Sequence, residues 1–252
     1  MSDSGFWVGM GAPAVVDWCE PNYAVTQYIA EFVNTSTSVP MAALGLYGLW
    51  MTWTHRDVIS RRFLACFGGL ALVGLGSVAF HGTLLRGPQA LDELPMVYAI
   101  LAATWTMVHR HTPRGQGVGM AWALLVYAVG FTVAYAVSTW TFLIFLATFG
   151  LLTAFVAFYS MWINLRQETP KPMPKLAWGA FISFGVAFFC CWVPEHVLLP
   201  CDSPLQSLQL HGWWHILSGL GVYLWVCWAV VDRERILGFS CHFERGFVVP
   251  NS

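Results

Sequence analysis

Charge is what this chain has least of. Asp, Glu, Lys and Arg make up only 10% of its 252 residues, against 57% hydrophobic residues and a mean hydropathy of +0.60, whereas a water-soluble domain carries roughly 25% charged residues. That shortage excludes a fold whose main solvent is water. Also missing are internal repeats, low-complexity tracts and any composition shift that would set a soluble domain apart, so residues 1–252 read as one domain. Segment 1–34 has neither a basic start nor a compact apolar stretch ending in small residues. No cleaved signal peptide is therefore expected, and the first span is expected to direct insertion itself. The net charge of -1 points to no partner class, and nothing points to nucleic acid.

What is present is apolar length. Residues 63–85, 122–137, 142–162, 176–193 and 213–231 contain no Asp, Glu, Lys or Arg, and a bilayer span needs roughly 20 such residues. Two shorter stretches, near 39–53 and 94–108, reach that length with their polar flanks. The expectation is a seven-helix transmembrane bundle, all-α, with spans at roughly 35–54, 63–85, 92–109, 119–137, 141–162, 176–195 and 212–231. Helices rather than a barrel follow because backbone groups in hydrocarbon must satisfy one another, and the runs show no period-two alternation. Trp105, Trp122, Trp140, Trp162, Trp213 and Trp214 fall near span ends, where indoles favour the interface.

The charges divide by side. Arg56, Arg61 and Arg62 follow the first span, Arg110 and Arg114 the third, Arg166, Lys171 and Lys175 the fifth, and Arg233, Arg235 and Arg245 the last; Arg86 alone lies in the opposite set of loops. The positive-inside bias puts the amino terminus outside and the carboxyl terminus in the cytosol. Of the seven cysteines, Cys66, Cys190, Cys191 and Cys227 sit in spans and Cys241 in the inner tail. Cys19 and Cys201, both outside, are the pair that suits a disulfide, two free thiols being the alternative.

Five polar side chains then stand at the outer ends of the spans: Ser77, His81, Asp92, His211 and His215. Ser77 with His81, and His211 with His215, are spaced by four, which puts each pair on one helical face. Ionisable groups in spans are expensive and mark function. Three imidazoles and an open fourth position are the ligand set of a catalytic zinc, with Asp92 placed to hold and deprotonate a water. Hydrogen bonding at the interface is the plainer reading of any one of these histidines. Before the first span, Asp17, Glu20, Asn22 and Glu31 with one carbonyl offer the oxygen ligands that calcium takes, or simply a solvated acidic loop with helix caps.

Four segments carry a resemblance: Asp17-Trp18-Cys19-Glu20 through Ile29-Ala30-Glu31-Phe32; Gly76-Ser77 with Phe80-His81; Leu91-Asp92-Glu93-Leu94-Pro95-Met96; and His211-Gly212-Trp213-Trp214-His215-Ile216-Leu217. In this order, and over nearly the whole chain, they resemble the alkaline ceramidase family. The resemblance implies seven helices around an intramembrane zinc on His81, His211 and His215, Ser77 steadying the oxyanion, and Asp92 as base and then acid. It implies calcium on Asp17, the Trp18 carbonyl, Glu20, Asn22 and Glu31, and maps the family's lumenal disulfide to Cys19 and Cys201. The activity implied is hydrolysis of the amide bond of ceramide, which enters from the bilayer, by a zinc-activated water in an endoplasmic reticulum or Golgi membrane; no obligate protein partner is evident. Where the family tends to follow a Trp with Asp-Asn or Asp-Arg, this chain reads Trp192-Val193-Pro194-Glu195-His196, with longer spacing to Cys201. Two other readings share the residues. One is a lipid hydrolase or receptor of the progestin and adiponectin receptor type, whose amino terminus looks cytosolic; the other is an ion or proton transporter using the intramembrane His and Asp residues.

Overall fold

The computed structural model describes residues 5–113, 116–138, 140–166 and 173–251, so Arg114 and Lys171, two of the charges used above for orientation, lie outside the described residues. Seven α-helices follow in order among the described residues: α1 Phe32–Thr54, α2 Arg62–Thr83, α3 Arg86–Val108, α4 Val118–Val137, α5 Thr141–Arg166, α6 Met173–Val186 and α7 Leu210–Ile236. Five are long and apolar enough to cross a membrane: α2, α4, α5, α7, and α6 with its continuation to Leu198. Helices α1 and α3 are polar for a physical reason, since they carry Asn34, Ser38, Gln89 and Glu93 turned inward and buried.

Helix α7 is the most enclosed of these five, with 67% of its apolar window buried, while α4 and α5, at 11% and 17%, face outward. The backbones of α1 and α2 touch directly. A Cβ added at Gly45 would lie 2.3 Å from the Ala71 nitrogen, and one at Gly74 would lie 2.3 Å from the Ala42 nitrogen. Small residues that allow such approach are how helices pack where lipid removes the hydrophobic drive between them.

The segment before α1 is stitched to the turn between α2 and α3. Ala14 N–H donates to Leu84 O at 2.9 Å, Arg86 N–H to Ala12 O at 2.9 Å, Ala30 N–H to Gly82 O at 3.0 Å and Glu31 N–H to His81 O at 2.9 Å. Beyond Val186 the sixth helix widens into π-helical turns, Ala187–Trp192 and Pro194–Leu198. Pro194 lacks the N–H that a tight turn would use, and π-turns recur at functional sites. A loop then carries Cys201, which is bonded to Cys19 with the Cα atoms 5.0 Å apart.

At the other end, three basic residues that the charge pattern placed at the membrane surface are inside the protein. Arg110 Nε donates to Asp232 at 2.7 Å, Arg233 donates to the Thr112 carbonyl at 2.6 Å, and Arg62 donates to the His109 carbonyl at 2.9 Å. A carboxyl-terminal hairpin, β1 Cys241–Glu244 with β2 Phe247–Pro250, folds back beneath them. Its Phe247 and Val248 are fully buried, Phe247 lies 5.6 Å from the Phe67 ring, and Tyr223 donates to the Gly246 carbonyl at 3.1 Å. Trp214 also departs from the interfacial reading. It is buried and packs edge-on to Phe184 at 5.5 Å, whereas Trp122, Trp140, Trp162 and Trp213 are exposed.

Candidate metal centre

His81 ends α2, and His211 and His215 begin α7. One ring nitrogen from each falls within 4.8 Å of the others, and all three side chains are buried. The tautomers follow from what the remaining nitrogens meet. His81 Nδ1 is bonded to the Glu31 carboxylate, an acceptor, so Nδ1 carries the proton. The Nε2 of His81 is buried and has no hydrogen-bond partner. His215 Nδ1 lies 3.2 Å from both Thr37 Oγ1 and Ser38 Oγ. These hydroxyls donate to the Val33 and Asn34 carbonyls at 2.7 Å, so their oxygens are left to accept from His215. Its Nε2 keeps a lone pair, 3.5 Å from Ser77 Oγ. A buried nitrogen lone pair without a donor is costly, and neutral imidazoles converging in this way fit a divalent cation.

Ser77 is buried one turn below His81 and 3.0 Å from Ser38 Oγ. Asp92 is brought beside it by the backbone: a Cβ added at Gly76 would lie 1.9 Å from the Leu91 carbonyl oxygen and 2.9 Å from the Asp92 nitrogen. The Asp92 side chain is half-buried and forms no hydrogen bond among the described residues. The structure therefore gathers Ser77, His81, His211 and His215 into one centre, with Asp92 on the adjoining turn of α3.

The acidic segment forms a second layer directly above. Asn22 Nδ2 donates to both Asp17 oxygens at 3.2 and 3.1 Å. Glu20 caps α1, accepting from Val33 N–H at 2.7 Å and Asn34 N–H at 2.8 Å. Glu31 accepts from Trp18 N–H and Asn34 Nδ2, each at 3.2 Å, besides His81. Burial pushes the Glu31 carboxyl up to about 8, with the charge of Asp17 adding to it and the Asn34 and Trp18 contacts opposing. Burial likewise raises Glu20 against the pull of the Val33 and Asn34 amides. Carboxylates crowded in this way are eased by a dication. The buried Asn22 Oδ1, which lacks a partner, is a ligand of the kind calcium takes.

Several residues of the site carried no separate signal in the sequence. Thr37 and Ser38 belong to the polar run 34–38 at the head of α1, which could have marked them. Glu93 is buried between Gln89 Nε2 at 2.7 Å and Tyr135 OH at 2.6 Å, with Arg86 on Tyr135 at 3.0 Å. Glu195 and His196 stand beside His211 as a second group whose ligand atoms lie within 4.8 Å of one another. Of these, Glu93 falls within a segment that carries the resemblance, and Glu195-His196 is where the chain departs from it.

Fold and site together define a helical membrane protein with a buried histidine centre able to hold a metal ion. The chain belongs to the alkaline ceramidase family, and the ceramidase family model matches residues 12–238. It is 30% identical to alkaline ceramidase YPC1 of Saccharomyces cerevisiae, over 92% of this chain and 80% of the yeast protein. It is 28% identical to alkaline ceramidase 3 of Mus musculus, over 93% of this chain and 89% of the mouse protein. With the alkaline ceramidase of Drosophila melanogaster the identity is 27%, over 82% and 73%.

Proposed function

We propose that this chain hydrolyses the amide bond of ceramide-type lipids to a sphingoid base and a fatty acid, using zinc held by His81, His211 and His215. The observation that carries the reading is the convergence of three buried imidazoles, with His81 Nε2 lacking any partner, in a chain whose relatives are named alkaline ceramidases. Zinc bound there supplies Lewis-acid polarisation and lowers the pKa of a water toward about 7. The chain's own residues do the rest. The Asp92 carboxylate takes a proton from the attacking water and returns it to the nitrogen as the C–N bond breaks. Ser77 Oγ donates to the amide oxygen as charge collects on it.

A lipid substrate reaches this centre from the bilayer. A cleft of about 390 Å³ runs between α3 and α4, lined by Tyr98, Leu101, Trp105, Leu124 and Ala128 among others. It lies away from the histidines, and its lining fits hydrocarbon rather than chemistry. Asp92 to Tyr98 is six residues, or ~9 Å along a helix, so a lipid with its amide at Asp92 can lay a chain there. Calcium on Asp17, the Trp18 carbonyl, Glu20, Asn22 and Glu31 steadies the layer above, and Glu31 ties that layer to His81. The whole chain is one domain of seven spans, amino terminus lumenal and carboxyl terminus cytosolic, in an endoplasmic reticulum or Golgi membrane.

Assay of purified protein on a ceramide panel, alongside metal analysis, tests the reading. His81→Ala, His215→Ala and Asp92→Ala each lose hydrolysis while remaining folded in detergent. Zinc chelation abolishes activity, and selective calcium depletion reduces it. Full activity in His215→Ala overturns the proposal.

A further inference from the structure

Glu195 enters the protein where the sixth helix loosens. The π-helical turn Pro194–Leu198 carries its side chain inward, and it is buried at 5% exposure. Its carboxylate faces His211 at the head of α7. Its Oε2 lies 3.8 Å from His211 Nδ1. That is beyond hydrogen-bond distance, yet both atoms are buried and neither has another partner. An acceptor and a donor stranded together in a dry interior complete each other by a movement of less than an ångström, and leaving them apart is costly.

The other two imidazoles give the pattern. His81 Nδ1 meets Glu31, and His215 Nδ1 meets Thr37 and Ser38. Each thereby holds its proton on Nδ1 and turns Nε2 to the centre. We infer that Glu195 does the same for His211, acting as a positioning residue that holds the ring through Nδ1 and leaves Nε2 to the metal. This rests on the zinc reading of the same site. Trp18 supports the ring from its face, stacked at 4.4 Å and 22°, so Glu195 sets the rotation that stacking leaves open. His196 is the neighbour that separates this role from another. Its Nδ1 is bonded to the Trp192 carbonyl at 2.7 Å and its Nε2 is buried without a partner, so Glu195, His196 and His211 could instead hold a second cation.

Full-length protein in detergent, loaded with zinc and competed against a chelator of known affinity, decides between these, with cobalt as a spectroscopic probe of the same site. Wild type is expected to hold one metal per chain by this centre. Glu195→Ala weakens retention about tenfold to a hundredfold, the usual scale for an outer-shell partner of a ligating histidine, and shifts the cobalt absorption. The isosteric Glu195→Gln, which keeps an acceptor without the charge, falls between, and His196→Ala retains metal as wild type does. Wild-type retention and an unchanged cobalt spectrum in both Glu195 variants overturn the inference. So does a second metal per chain lost from both Glu195→Ala and His196→Ala. Failure of wild type to bind metal at all overturns the zinc reading beneath it, and is told apart because no variant is needed to see it.

Discussion

A side chain missing from position 76 decides how close α3 comes to the centre. The carbonyl of Leu91 occupies the space where any Cβ at Gly76 would sit, 1.9 Å from it, against the 3.4 Å or more of ordinary contact. Gly76→Ala therefore pushes α3 off α2 beside Ser77 and carries Asp92 with it. Overpacking of this kind costs roughly 1–3 kcal/mol, and a misplacement of ~1 Å at a reacting group costs on the order of a hundredfold in rate. The expected outcome is a lower melting temperature and a loss of ceramide hydrolysis of about that size. Gly150→Ala on α5, with nothing within 4 Å of the added Cβ, leaves both unchanged. At this scale the sequence was readable wherever one helix supplies two members, since spacing by four places Ser77 with His81 and His211 with His215 on shared faces. Across the chain it offered the Cys19–Cys201 pair but not the partners of the histidines. Glu31 on His81, Ser38 on His215 and Glu195 on His211 join residues whose proximity no local pattern encodes.

Among the elements, hydropathy finds apolar length and misses polar helix. Helix α2 runs Arg62–Thr83, close to the apolar stretch 63–85, but α3 begins at Arg86, well before the stretch that starts near 92. The extra turns hold Arg86 and Gln89, whose polarity hides the helix from any hydropathy window while Gln89 and Glu93 satisfy each other inside the bundle. The hairpin at the carboxyl end was likewise invisible, because Phe247 and Val248 are apolar for the sake of a distant core. The α3–α4 cleft carries the prediction that belongs to this scale. Helix α4 is mostly exposed, and the Tyr98 hydroxyl on the cleft wall is bonded to Thr132 at 2.5 Å, so the lining offers a chain little but apolar contact. Ala102→Phe or Ala128→Phe fills the cleft. Each burial of a CH₂ is worth about 0.8 kcal/mol, so blocking even two or three of them predicts a fall of about tenfold or more in kcat/KM for long-chain ceramides. Short-chain ceramides, which do not reach the filled part, keep their rate. An equal fall for all chain lengths would place the lipid tails elsewhere.

For the molecule as a whole, the structure changes what the charge pattern means. Arg62, Arg110 and Arg233 are buried, so they do not report on the membrane surface. Arg56, Arg61, Arg166, Lys175 and Arg245 remain exposed, and all belong to the inner loops and tail of the proposed orientation. The one basic residue on the other side is also accounted for, since Arg86 donates to Gln89 at 3.2 Å and Tyr135 at 3.0 Å and lies 4.6 Å from the Tyr135 ring centroid. The exposed positive charge is thus more one-sided than a count over the sequence makes it, and position relative to the bilayer is set by charges near the surface. The disulfide argues the same way without using charge: Cys19 and Cys201 are joined at the opposite end of the bundle, and such bonds persist in lumenal or extracellular compartments and not in the cytosol. In sealed microsomes, then, a tag at the amino terminus should survive added protease until detergent is present, and a tag after Ser252 should be lost at once. The opposite protection pattern would invert the bundle, place Cys19–Cys201 in a reducing compartment, and restore the orientation of the progestin and adiponectin receptor type.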